Sequence, residues 1–281
     1  MLLEADPERS FGQALVLALR SGASSLVVFV GAAHAGVVAR QADYFEPAAA
    51  VWAVDGTTVT AAVPTPVEPA SERPLAPHIA SIIEAADVVA IVEHGELMAE
   101  CNGLEVGRVA GDGDDQRLDV GVGAYDQGAF AVINPGLTPD RALAQVVSLV
   151  REHRRRGAEP HPLNRLVRER WLRAELIEEP ASLGLASLRP VEATVARDGL
   201  YDTVPAFAQG IAVDSGERVV VACSVGIDLA LIPAAVDVAA REHATRIIVV
   251  LPQRDQHAIT VALAAGAKLP VEIVTADVPW S

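Results

Sequence analysis

The chain has 281 residues, a hydrophobic content of 51% and a formal net charge of −15. This length and apolar content allow the core of one large or two ordinary domains, whereas the negative charge argues against nucleic-acid binding, which requires a basic surface. The single lysine, Lys268, excludes a phosphate-binding G-x-x-x-x-G-K-[ST] loop and a lysine-based kinase site.

Membrane association and secretion are not expected from the sequence. Apolar runs such as Leu26–Val30 fall far short of the roughly 20 residues that cross a bilayer. The first residues include Glu4, Asp6 and Glu8, whereas a secretory signal peptide begins with basic residues. We therefore expect a soluble, cytoplasmic protein with no membrane contact.

The first third of the chain has the pattern of alternating helices and strands. The predicted elements are a helix over Phe11–Arg20, a buried strand over Leu26–Val30, a short helix over Val37–Gln41 and a hairpin of Val51–Val54 with Thr57–Ala62. Pro64–Pro77 contains five prolines and is predicted to be an extended surface connector. A helix over Ile79–Ala86 follows it.

The region from residue 88 to residue 122, which we call the meander, carries the strongest local signal. Asn102-Gly103 and His94-Gly95 stand between runs of alternating apolar residues, and such pairs favour the two-residue turns of antiparallel hairpins. The predicted strands are Val88–Glu93, Glu96–Cys101, Leu104–Val109 and Arg117–Val122.

The turn at Asn102-Gly103 places Glu100 opposite Glu105 on one face of the meander. Opposed carboxylates destabilise a sheet unless an arginine, a cation or a shared proton relieves them, and Arg108 and Arg117 lie on neighbouring strands. The face is interpreted either as a solvated acidic surface or as a site for acid–base or metal chemistry. The candidate catalytic residues are Glu100, Glu105 and Asp119, and the candidate metal ligands are Glu96, Glu100, Glu105 and Asp119.

An arginine-rich region follows the meander. A helical stretch is predicted near Tyr125–Ile133 and a longer helix from Thr138 to about His153. Because Gly157–Pro162 breaks this helix, we predict domains at 1–157 and 164–281, with a basic helix after Asn164. The arginines either bind an anion, a nucleic acid or an acidic partner, or they pair with the acids of the meander. The candidate partner-binding residues are Arg154, Arg155, Arg156, Arg165 and Arg168.

The last third is predicted to be a β-β-α-β-α-β unit with a parallel portion of sheet. Its elements are Phe207–Val213, Arg218–Ser224, a helix from Pro233 to about His243, Arg246–Leu251, a helix over Gln256–Ala265, and Val271–Thr275. Gly22–Asp55 and His243–Ala276 share the order of their elements, which either an internal duplication or the ordinary length of a β-α-β unit would explain. The fold class is therefore mixed α/β.

Two short patterns resemble known families. Ala222–Gly226 resembles an A-x-S-x-G variant of the nucleophile elbow of α/β-hydrolases, which implies Ser224 as nucleophile with an acid and then a histidine after it. Asp228, Asp255 and His257 follow in the chain, but no histidine comes after the last strand.

Gly121, Gly123 and Gly128 miss the G-x-G-x-x-G spacing of dinucleotide-binding sites, so no nucleotide cofactor is predicted.

The C-terminal order of elements is similar to that of the PD-(D/E)xK, restriction-endonuclease-like fold. That family holds a divalent ion with an aspartate on one hairpin strand and Glu-x-Lys on the next. Here Asp214 falls in the turn, Ser224 ends the second strand and no lysine stands at the motif position on that strand, so the catalytic motif is absent. On the meander, Glu105 and Asp119 lie on neighbouring strands, with Gly121 where the lysine would stand.

Two functions follow from these patterns. The first is a non-catalytic binding or assembly protein that presents the acidic face or the arginine-rich region to a protein partner or a second copy. The alternative is a hydrolase that uses a divalent metal on the carboxylates of the meander.

Overall fold

A computed structural model describes residues 1–3, 6–46, 49–123, 127, 136–197 and 199–280. Within these ranges the protein has three open sheets and seven α-helices, which confirms the predicted mixed α/β class. None of the described helices combines the length and the apolar character that crossing a membrane requires. The predicted helical stretch near residues 125–133 lies, apart from residue 127, outside the described residues.

The N-terminal sheet has the strand order β1-β2-β3-β4, with three parallel strands and an antiparallel hairpin at its edge. Its elements are β1 (Leu2–Leu3), α1 (Pro7–Ser21), β2 (Leu26–Gly31), α2 (Ala32–Ala42), β3 (Ala49–Asp55) and β4 (Thr58–Ala61). The predicted strands and helices are present. Helix α1 starts earlier than predicted, because Pro7 fits the first turn of a helix.

The predicted four-stranded meander is confirmed, with the order β5-β6-β7-β8. Its elements, after helix α3 (Pro77–Ala85), are β5 (Val89–Glu93), β6 (Glu96–Cys101), β7 (Leu104–Ala110) and β8 (Arg117–Val120). In the two turns, φ is 50° at His94, 77° at Gly95, 46° at Asn102 and 76° at Gly103. Positive φ at both central residues is the backbone that these Xaa-Gly pairs favour.

The C-terminal sheet has the order β13-β12-β11-β10-β9, parallel across β11, β12 and β13 and antiparallel across β9, β10 and β11. The elements are α4 (Pro139–His153), α5 (Arg168–Glu178), β9 (Leu185–Val191), β10 (Ala206–Ala212), β11 (Arg218–Cys223), α6 (Leu231–Arg241), β12 (Arg246–Pro252), α7 (Ala258–Ala265) and β13 (Val271–Ala276). The β-β-α-β-α-β order is confirmed. Edge strand β9 was not predicted, because Pro190 within it weakens the strand signal.

Three cores hold these layers together. In the first, α1, α2, α6 and α7 lie between the N-terminal and C-terminal sheets, so that Val28 of β2 and Val249 of β12 belong to one cluster. In the second, α3 and α4 cover the Leu97, Ala99 and Cys101 face of the meander, and in the third α5 covers the other face of the C-terminal sheet. The first core crosses the predicted division at residue 157, which itself stays a prediction.

The two halves have matching parallel units, β1-α1-β2-α2-β3 and β11-α6-β12-α7-β13. Leu2 pairs with Phe29, and Cys223 pairs with Val250 at the same separation along the chain. The segments after α2 and α7 meet in a reciprocal antiparallel bridge, in which Glu46 N donates to Gly266 O and Lys268 N donates to Tyr44 O, both at 2.8 Å. This geometry fits the predicted repeat, whose origin by duplication stays a prediction.

The turn at Gly103 permits a close approach between the meander and α5. A Cβ atom there would lie 2.3 Å from the carbonyl carbon of Arg170, whereas a Cβ at Gly95 would meet nothing within 4 Å. We expect Gly95→Ala to cost about 1–2 kcal/mol of unfolding free energy for its positive φ alone, and Gly103→Ala to cost about 3 kcal/mol or more. Urea unfolding of both variants is the measurement, and equal losses would show that α5 yields freely at this contact.

Candidate functional site

The two glutamates predicted to face each other are paired across β6 and β7. Glu100 is 6% exposed and Glu105 is 4% exposed, so the interpretation of a solvated acidic surface is wrong for these two residues. A bulge between Ala99 and Glu100 shifts the register at this point. Two carboxylates withdrawn from water require partners to stabilise their charges.

Glu100 obtains its partners from α5. Nη2 of Arg173 donates to both carboxylate oxygens of Glu100 at 2.8 Å, and Arg173 is 1% exposed. One turn earlier on the same face of the helix, Arg170 pairs with Glu93 and lies 3.6 Å from Glu100. The arginines at these two positions therefore pair with acids of the meander, which was one of the two alternatives for the arginine-rich region.

Arginines also face the other predicted metal ligands. Glu105 accepts hydrogen bonds from Arg108 at 3.0 and 3.1 Å and from Gln127 at 2.8 Å. Arg108 is 3.7 Å from Glu96, and Arg117 is 3.4 Å from Asp119. The described residues contain no group of three or more His, Cys, Asp or Glu side chains arranged to hold an ion. The predicted site of Glu96, Glu100, Glu105 and Asp119 is therefore not assembled, because arginines already neutralise these acids.

The predicted partner-binding arginines do not form one surface. Arg154 is fully buried, with its guanidinium 4.5 Å from the centre of the Trp171 ring, and burial lowers its pKa to about 10. Arg154 is therefore corrected from a surface residue to a core residue. Arg155, Arg156 and Arg165 are exposed, and Arg168 is half-buried with its guanidinium 5.3 Å from the Trp280 ring.

The nucleophile elbow predicted at Ser224 is not formed. Ser224 is 2% exposed, its φ is not in the left-handed region, and α6 does not begin until Leu231. An elbow requires a sharp, strained turn that exposes the hydroxyl between strand and helix. No hydrogen bond joins Ser224 to a histidine in the part of the chain that the structure describes, and Nδ1 of His257 instead accepts from Ile259 N at the start of α7. Ser224 as nucleophile is therefore not supported.

One of several cavities of similar volume, about 380 Å³, lies at the carboxyl end of β11, and we call it the β11 pocket. Ten of its fifteen lining residues are apolar. Parallel α/β sheets bind ligands at the carboxyl ends of their strands, because the loops there diverge and leave a crevice. The polar lining residues are Arg9, Gln13, Thr203, Ser224 and Asp228.

Local structure explains why the polar residues converge. Ser224 directly follows β11, and Asp228 lies in the loop before α6, where its Oδ1 accepts from Ala230 N at 2.8 Å. Helix α1 approaches this loop at Gly12, where an added Cβ would lie only 1.8 Å from Leu229 O. The bare backbone at Gly12 thus brings Arg9 to the rim of the pocket.

Titratable groups in and near the pocket have shifted pKa values. Burial raises the pKa of Asp228, and Arg9 opposes this rise. Arg9 donates to Asp202 at 3.2 Å. Nearby, burial raises the pKa of Glu169 and lowers the pKa of Arg197 to about 10. Titratable groups shifted by burial beside a cleft are typical of functional sites.

Part of this pocket carries a signal in the sequence, although the signal predicted a different site. Ser224 and Asp228 were noted for an elbow that is not formed, whereas Arg9 was not noted at all. The usable signal was the loop after the first strand of a predicted parallel unit. Nothing in the sequence indicated that Arg9, on the first helix, would reach that loop.

The buried pair of Arg173 and Glu100 predicts a specific double-mutant result. We expect Arg173→Met to lose about 3–5 kcal/mol of unfolding free energy, because buried Glu100 then keeps only its longer, 3.6 Å contact with Arg170. Adding Glu100→Gln should recover much of this loss by removing the charge. Arg117→Ala, which removes an exposed pairing, is the control and should cost at most about 1 kcal/mol. Denaturant unfolding measures all three variants. If the free-energy losses of the two single variants simply add up in the double variant, the assigned pairing is contradicted.

The shifted pKa of Asp228 predicts a pH-dependent stability difference. A carboxyl whose pKa is raised in the folded state stabilises the fold when protonated, and this contribution is lost as the pH rises through the raised value. Asp228→Asn keeps an acceptor for Ala230 N, so its Tm should exceed that of the wild type at neutral pH, and the difference should shrink near pH ~4. Calorimetry across this range tests it, with Asp119→Asn as the control for losing one negative charge. A gap that does not change with pH would contradict the assignment.

The arrangement of these residues has to be interpreted from its own chemistry. No family model, no curated protein and no solved structure matches the chain. The topological resemblance to the PD-(D/E)xK fold therefore stays a prediction.

Proposed function

We propose that this chain is a non-catalytic binding protein that holds a small molecule in the β11 pocket. The observation that carries the proposal is the presence of a half-buried carboxyl, Asp228, in a mainly apolar cavity of about 380 Å³ at the carboxyl end of a parallel strand. Ligand sites in α/β proteins have this combination of apolar walls and a few convergent polar groups.

The lining indicates the chemistry of the ligand. Ile227, which is 58% exposed, offers aliphatic surface for an apolar body, and the buried side chains of Phe207 and Val204 also line the cavity. Asp228 uses Oδ1 for Ala230 N, and its second oxygen is suited to a donor such as an amide, hydroxyl or amine. Arg9 already donates to Asp202, so a strongly anionic ligand is a poorer match. The proposed ligand therefore has an apolar body and a hydrogen-bond donor at one end.

The ion pairs of the meander acids favour a binding site in the β11 pocket over one on the acidic face of the meander. Glu100 and Glu105 are occupied by arginines, and Arg154 is buried. These side chains would have to break their internal contacts before they could bind a partner. The β11 pocket requires no such rearrangement.

A cavity-filling variant tests the proposal. Val195 lines the pocket from a loop, and Val195→Trp should fill the cavity while leaving the strands intact. Ligand-observed NMR with benzamide and benzylamine, compared with toluene, should show weak binding, with Kd on the order of 1 mM, that requires the donor group. Val195→Trp should abolish the signal.

Val213→Trp provides the matched control, because Val213 is 67% exposed in the turn between β10 and β11. It should bind benzamide as the wild type does. Binding that survives Val195→Trp would place the fragments elsewhere, and no binding of either donor compound to the wild type would contradict the proposed ligand class.

A further inference from the structure

The outer face of the N-terminal sheet, turned away from α1 and α2, is apolar across all four strands. Side chains alternate between faces along a strand, so every second residue of β1 to β4 lies on this face. Four of these side chains are exposed: Leu2 at 54%, Val27 at 41%, Trp52 at 37% and Val59 at 47%. The remaining residues at these positions are Phe29, Gly31, Ala50, Val54 and Ala61.

Strand register makes the face continuous. Leu2, Phe29, Trp52 and Ala61 are direct partners across the four strands, so they form one apolar row. No charged or polar side chain occupies the face within β1 to β4. Contiguous apolar surface of this kind on a soluble protein marks an interaction site.

The other half of the chain shows what happens to the corresponding face. By the matching of the two units, Leu2, Val27 and Phe29 correspond to Cys223, Ile248 and Val250. Those three residues are at most 1% exposed, because they belong to the core that Leu172 and Leu176 of α5 complete. Among the described residues, no helix packs on the N-terminal counterpart, where Val27 and Trp52 stay exposed and Phe29 is half-buried.

We propose that a second copy of this chain covers the outer face of the N-terminal sheet, so that two such sheets pack face to face about a two-fold axis. Charge favours this occupant. The chain carries a net charge of −15, and the outer face is a region where two copies can meet without bringing like charges together. A two-fold contact of this kind uses the same patch on both subunits.

The size of the face matches a modest dimer. The four strands have two, six, seven and four residues. At about 3.3 Å per residue and a strand spacing of about 4.8 Å, they give a projected area of roughly 300 Å² per copy. The accessible area of a corrugated surface exceeds its projection, and Val63, which continues the alternation beyond β4, is 78% exposed. The total for two copies stays below the roughly 1,000 Å² of stable specific interfaces and in the range of weak, transient contacts, so we expect reversible dimers with Kd on the order of 10 μM.

Sedimentation velocity of the full chain between about 1 and 100 μM, a range centred on that Kd, tests the proposal. The wild type should shift from monomer to dimer as its concentration rises. Val27→Glu in the central strand and Val59→Glu on the edge strand should raise Kd at least about tenfold, because each places two like charges in the contact. Val213→Glu, on the distant hairpin turn, is the matched control and should dimerise as the wild type does.

Circular dichroism establishes whether each variant folds, and Val59→Glu retains the test if Val27→Glu unfolds. A wild type that stays monomeric overturns the proposal and leaves the face for a helix of another protein, as α5 covers its counterpart. A dimer that Val59→Glu does not weaken overturns it as well, because the contact then lies elsewhere.

A distance measurement provides independent support. Both native cysteines, Cys101 and Cys223, are buried, and burial raises the pKa of each thiol, so an introduced surface cysteine takes the label selectively. A spin label on Ala50→Cys should show an intermolecular distance below roughly 40 Å, since packed sheets lie about 10 Å apart. Labelled Val213→Cys is the reference position, and the absence of a short distance for residue 50 in a dimer would contradict the face-to-face arrangement.

Discussion

The buried ion pair between Arg173 and Glu100 connects parts of the molecule that otherwise have separate cores. Arg173 lies on α5, which packs on the C-terminal sheet, and Glu100 lies on the meander. Each charge is the nearest ionic partner of the other, whereas Arg170 lies 3.6 Å from Glu100 and Glu93 lies 3.7 Å from Arg173. Close pairing matters here because a poorly compensated buried ion costs several kcal/mol. Nη1 of Arg173 also donates to Phe207 O at 3.4 Å, and Phe207 lines the β11 pocket. The position of the meander and one wall of the pocket are therefore fixed by the same side chain.

Much of the local structure could be predicted because it depends on neighbours in the sequence. The Asn102-Gly103 turn set the register that brings Glu100 opposite Glu105, and the alternating strands and helices of the last third gave its parallel sheet. Edge strand β9 was missed because Pro190 reads as a strand breaker, although proline is tolerated at a sheet edge.

The chemistry of the candidate site could not be predicted in the same way. Opposed glutamates are equally consistent with a metal, a shared proton or an arginine, and the arginine that settles the matter is 73 residues away from Glu100 in the chain. Arg9 reaches the β11 pocket from the first helix, more than two hundred residues before Asp228. Periodicity and turn signals carry information about neighbours, and they carry none about which distant side chain completes a buried charge.

Gly12 has a consequence for how the pocket can vary. The carbonyl of Leu229 occupies the space that any side chain at position 12 would need, since an added Cβ would lie 1.8 Å from its oxygen. A methyl group there would push the first helix and the loop that carries Asp228 apart. The absence of a side chain at Gly12 thus sets the width of the cavity mouth. A substitution to alanine would widen the entrance although Gly12 itself does not line the pocket.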